Sequence, residues 1–161
     1  MYELAFTVFG FLLGLIPPWF LRKRRLKTHW CALRAEMTQI YEKAETLRAD
    51  TIQSPLYRLP LIAYQTSYAV LLADGAVSES EVLTLGRFFS LVQDINRGLD
   101  NAAEANMSGG SHKLKAEFDR NRLKAEKLVV AQNNEPSLYT QALEIVNAKV
   151  ATKWCQYAKH A

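Results

Sequence analysis

The feature that most restricts how this chain can fold is "LAFTVFGFLLGLIPPWFL", residues 4–21, followed at once by Arg22, Lys23, Arg24 and Arg25. Eighteen residues pass without a charge. As a helix they measure about 27 Å, just enough to cross the hydrocarbon core of a bilayer. An export signal would put its cations before the apolar run and a small-residue cleavage motif after it. Here the order is reversed, so the run reads as an uncleaved anchor. The positive-inside rule then sets the N-terminus outside and residues 22–161 in the cytoplasm, at a cell inner membrane crossed once. Tyr2 and Trp19 fall at the two expected interfaces, and Arg22, Lys23, Arg24 and Arg25 are placed to meet anionic lipid headgroups.

The anchor also carries a contact signal. Gly10 and Gly14 form G-x-x-x-G, with Thr7 on the same face, and small residues let two membrane helices approach closely. Four-residue spacing of glycines also arises by chance. Pro17 and Pro18 are expected to kink or end the helix near the inner interface.

Beyond the basic cluster, Leu26, Trp30, Leu33, Met37, Ile40, Ala44 and Leu47 recur at alternating spacings of four and three, a period of 3.5 held over three heptads. Two readings are open. The seam is a coiled coil, with Trp30, Leu33, Met37 and Ile40 facing a second copy, or it is the inward face of a helix in the chain's own bundle. The first agrees with the glycine face above it, because both lie on one nearly continuous rod.

The rest of the chain reads as helices. Ser54 and Pro55 open one, with Pro60 delaying or kinking it. The dense apolar stretch 61–73 is a core helix ended by Asp74 and Gly75. Ser78 and Glu81 form a capping box ahead of a long amphipathic helix through Val82, Leu85, Phe89, Val92 and Leu99. "MSGGSH" is a connection, a fourth helix covers about 113–132, and a last one about 137–159. No stretch alternates with period two for long enough to make a strand. The expected architecture is all-α: residues 1–25 an anchor with its basic cluster, 26–50 a heptad-patterned helix, and 51–161 a helical domain. The cytoplasmic part holds about five helices in all.

Charge is uneven beneath a net +4. Residues 22–50 carry eight Lys/Arg against four acids, 51–106 three against six, and 107–161 nine against five. Two basic zones therefore flank an acidic one, which directs attention to anionic partners. The first is accounted for by the membrane. In the second, Lys113, Arg120, Lys124 and Lys127 fall within roughly 60° on a helical wheel. That stripe is either a solvated face or, repeated around an oligomer axis, a site for an anionic nucleotide or oligonucleotide.

Catalytic and metal chemistry finds little support. His29 and Cys31 are two apart on a helix and point opposite ways, and Cys155 and His160 are poorly aligned. "SGGSHK" lacks the Gly-Lys-Ser/Thr ending of a phosphate loop. The expectation is a protein that is not an enzyme and carries neither cofactor nor metal.

"LLADGAVSESEV", residues 71–82, contains the second half of an EF-hand loop, but Val70 and Leu72 stand where ligands would be needed. The same residues resemble the junction of TerB-like domains, small all-helical modules associated with tellurite resistance and membrane stress. The resemblance implies Asp74 and Glu81 as metal ligands, while the residues alone read as a glycine turn and a helix cap. In layout the chain is also similar to small single-pass anti-phage effectors of the Hailong type. Two functions follow. One is a self-associating effector that opens or perturbs a membrane in stress or antiviral defence, as an ion channel does, under an anionic ligand. The alternative is a TerB-like membrane-tethered adaptor, or an anchor subunit, that binds a partner protein.

Overall fold

A computed structural model describes residues 2–49, 56–109, 111–132 and 134–151, with side chains from Pro18 onward and excepting Ser111. The described residues form five α-helices and contain no strand. They are α1 (Tyr2–Arg48), α2 (Ala69–Ala73), α3 (Glu79–Met107), α4 (Ser111–Val129) and α5 (Leu138–Val150). A π-helical turn, Tyr64–Tyr68, leads directly into α2.

The expected anchor and the heptad helix are one element, because α1 does not end at Pro17 and Pro18. Each proline removes a single backbone hydrogen bond from a helix of 47 residues, and the half beyond them is fixed by tertiary packing. Among the described residues no helix is long and apolar enough to cross a membrane. In the run 4–21, the side chains of residues 4–17 lie outside the described part. So do those of Thr7, Gly10 and Gly14, and so does the helix start expected at Ser54 and Pro55.

The seam of α1 is buried inside the chain's own core. Trp30 is 3% exposed, Leu33, Met37, Ile40 and Ala44 are 0% exposed, and Leu47 is 1% exposed. They pack against α4, α5 and the segment leading into α2. This corrects the expectation that Trp30, Leu33, Met37 and Ile40 face a second copy. Each large side chain contributes about 2 kcal/mol to the chain's own fold by leaving water, and that surface cannot also serve an oligomer. A 3.5-residue seam drifts only about 20° per heptad on a straight helix. Over three heptads it therefore stays within the broad stripe that a bundle helix buries.

α3 lies along α4 and α5 and supplies Leu85, Phe88, Phe89, Val92, Ile95 and Leu99 to the same core. Aromatic rings join the elements. Tyr64 stacks on Phe89 with centroids 4.2 Å apart, Phe88 meets Phe89 edge-on at 5.0 Å, and Tyr41 of α1 stacks on Tyr139 of α5 at 4.5 Å.

Pro60 delays the second helix, as one of its two expected effects, so its first turn begins with free backbone donors. Glu36 of α1 answers them. Its carboxylate, 6% exposed, accepts the N–H groups of Ala63 at 2.7 Å and Tyr64 at 2.8 Å. Nearby, the Asn96 side chain accepts from the Leu59 N–H at 2.8 Å and donates to the Leu59 carbonyl at 2.9 Å, clipping the extended stretch to α3.

Candidate functional site

The junction between α2 and α3 brings together four of the charged residues singled out by the sequence, Arg22, Arg25, Asp74 and Glu81. Gly75 takes φ +63°, a left-handed conformation that ends α2 and favours glycine. Its N–H donates to the Leu72 carbonyl at 3.0 Å, and the Ala76 N–H to the Leu71 carbonyl at 2.9 Å. Ser78 then caps α3 and the Glu81 carboxylate accepts the Ser78 N–H at 2.8 Å, closing the expected capping box.

Asp74 and Glu81 are each held by cations from other helices. Arg25 of α1 donates to Asp74 Oδ2 at 2.9 Å, and Arg22 donates to the Asp74 carbonyl at 3.0 Å. Lys149 of α5 sits 2.9 Å from Glu81 Oε1, and its ammonium is also 5.9 Å from the centre of the Trp30 ring. Burial pushes the Glu81 carboxyl upward. The Ser78 amide, Lys149 and the Ser78 hydroxyl outweigh it and hold the group below the usual carboxylate value. The junction is thus a tie between α1, α3 and α5. Asp74 and Glu81, the ligands implied by the TerB-like resemblance, are each engaged by a cation. Among the described residues no group of three His, Cys, Asp or Glu side chains is arranged to hold a metal ion.

The basic cluster divides by direction. Arg22 and Arg25 turn toward Asp74, yet their side chains remain 58% and 61% exposed. Lys23 lies back over Trp19, 5.2 Å from the ring centre. Trp19, Phe20 and Leu21 are three consecutive large apolar residues, all exposed, directly before the cations.

The α4 stripe does not form an unopposed row. Arg120 pairs with Glu117 at 2.7 Å, and Lys124 donates to the Asp94 carbonyl of α3 at 3.1 Å. Lys113 and Arg120 line a cleft of about 470 Å³ between the end of α3 and the start of α4. Glu104 and Glu117 line the same cleft and offset them. Lys127 is exposed in the last turn. The four residues thus share a helix but not one electropositive surface.

Comparison of the chain with protein-family models, curated proteins and solved structures finds no match. The functional reading therefore rests on the residues themselves. Sequence reasoning missed the Arg22/Arg25–Asp74 tie, which joins residues 49 and 52 positions apart. It also missed Glu36. The available signal was an acid beside Leu33 and Ile40 on the helical wheel, a position where a lone charge needs a buried partner.

Proposed function

We propose that the chain is a non-enzymatic, membrane-tethered helical adaptor whose single anchor is rigidly coupled to its domain. One observation carries this reading: α1 is a single helix that runs through residues 4–21 and ends in the core of the domain. A passive tether would be joined through a flexible linker. Here the junction has no linker, and Arg22 and Arg25 add a second fastening. The exposed collar Trp19, Phe20 and Leu21 followed by four cations supports a bilayer boundary at residues 19–25. In this reading the domain lies on the cytoplasmic side and offers its outer surface to a partner protein, in keeping with the resemblance at residues 71–82.

Extraction of membranes at alkaline pH tests it. The full chain is expected to stay with the lipid, and Leu12→Arg to release it by placing a charge mid-run, at a cost of about 3 kcal/mol. Release of the unaltered chain would overturn the reading.

A second reading, the self-associating effector, retains one supporting observation. Gly10 and Gly14 lie one turn apart in continuous helix. The seam no longer supports it. Mass photometry in nanodiscs checks it: assemblies larger than one chain would favour the effector, and monomers at native-like concentration would remove it.

A further inference from the structure

If α1 is an anchor, its geometry fixes which end of the domain meets the lipid. Arg22 and Arg25 stand about 1.5 Å and 6 Å beyond Leu21 along the helix axis. That span lies within the headgroup layer, which occupies about 5–7 Å on each side of the hydrocarbon. Both arginines reach Asp74, so the turn after α2 sits at their level.

The remaining contacts orient the domain. α3 starts directly after this turn. Tyr57 donates to the Lys43 carbonyl, Arg58 bonds to Asp100, and Leu59 is clipped to Asn96. Residues 43 of α1 and 96 of α3 are therefore at one level. Each is about 26 Å along its helix from the Asp74 turn, so α1 and α3 rise in parallel away from it. Met107 closes α3 about 42 Å from its first residue and is 83% exposed.

We propose that the end of the domain formed by Leu72, Ala73 and the Asp74–Gly75 turn rests in the bilayer headgroup layer, with Leu72 as its apolar contact. Leu72 is 43% exposed, and Ala73 beside it is also exposed. The charge pattern fits a phosphate-rich surface. Asp74 is masked by Arg22 and Arg25, and Glu81 by Lys149. Glu79, left exposed, is in the first turn of α3, where the helix dipole favours an acid. The occupant is a lipid surface because this end continues the exposed collar Trp19, Phe20 and Leu21. The inference rests on the anchor reading and adds a contact that anchoring alone does not require.

The test places an environment-sensitive fluorophore on single cysteines in the full chain, with Cys31→Ala and Cys155→Ser as background. The protein is reconstituted into vesicles of phosphatidylcholine with a minority of phosphatidylglycerol. Probes at Leu72→Cys, Met107→Cys and Leu12→Cys are compared, and Ala73→Cys replaces the first if that variant does not fold. Lipid carrying a spin label on its headgroup is expected to quench the probe at 72 several-fold more than the probe at 107. Lipid labelled in the acyl chain is expected to quench the probe at 12. Quenching at 12 with no excess at 72 over 107 would overturn this inference and leave the anchor standing. No quenching at 12 would overturn both.

Discussion

Gly98 lies about two thirds of the way along α3, buried, against Asn121 of α4. A Cβ at this position would stand 2.1 Å from Asn121 Oδ1, 2.6 Å from Nδ2 and 2.7 Å from Cγ, closer than such atoms approach. Asn121 is 0% exposed, and its amide finds no hydrogen-bond partner among the described residues. Gly98→Ala should therefore bring two opposed effects. Helix propensity favours alanine by about 1 kcal/mol, while overpacking a filled interface costs about 1–3 kcal/mol. Gly86→Ala is the internal reference, since it is the same substitution in the same helix and its Cβ would meet nothing within 4 Å. Gly86→Ala is expected to stabilise by about 1 kcal/mol, and Gly98→Ala to fall below it by about 1–3 kcal/mol. Adding Asn121→Ala removes the obstacle and the unpartnered amide together. The two substitutions should then couple favourably by about 1–3 kcal/mol. Urea unfolding of the full chain in detergent, followed by far-UV circular dichroism and by the fluorescence of buried Trp30, reads each difference as a change in midpoint. If Gly98→Ala raises the midpoint as much as Gly86→Ala does, the close approach of α3 to α4 at this point is refuted.

Other residues give shorter tests by the same assay. Glu36→Ala leaves the Ala63 and Tyr64 N–H groups without their buried acceptor and should cost at least about 2 kcal/mol; a change under about 0.5 kcal/mol would show that the cap contributes nothing. Asn96→Ala unclips Leu59 and should cost about 1–3 kcal/mol, with proteolysis near residues 56–61 rising in step. The Glu81 carboxyl is held below its ordinary value of 4.5, so its contribution is present above about pH 4.5 and fades as pH falls through the folded value. Glu81→Gln should flatten that acid limb, and an unchanged limb would remove the assignment. Burial raises Tyr57, Tyr68 and Tyr139 above 10.0; their contribution is present below pH 10 and should be lost as pH rises through the folded values. Tyr68→Phe, which also removes a buried hydroxyl that finds no partner among the described residues, should reduce the alkaline loss.

Much of the fold was legible because the local signals were strong and agreed. The absence of period-two alternation excluded a sheet, and Asp74, Gly75, Ser78 and Glu81 marked a helix end and a helix start within eight residues. Leu85, Phe89, Val92 and Leu99 of α3 are buried as their spacing implied. What stayed hidden was the choice of partner. A face of period near 3.5 says that something covers it but not which chain supplies the cover, so Trp30, Leu33, Met37 and Ile40 were equally legible as core or as interface. Long-range polar ties were hidden for a similar reason. Asn96 and Leu59, or Arg25 and Asp74, have no sequence relation, and only the packed helices bring them within bonding distance.

The burial of the seam changes what α1 can do mechanically. A coiled coil along the seam would have made the domains satellites of a shared stalk. With the seam buried at home, α1 is an integral strut of its own domain, and the Asp74 tie is a brace between strut and α3. Losing the brace alone removes only exposed ion pairs, each contributing about 0–1 kcal/mol, so the global stability should hardly notice Asp74→Asn. The buried side chains of α1 are an order of magnitude more important in sum. The brace instead ties the side chain and the carbonyl of Asp74 to α1. It draws a carboxylate, which an anionic surface would repel, under two arginines that such a surface attracts. Of the four cations at residues 22–25, Arg22 and Arg25 bond to this one turn.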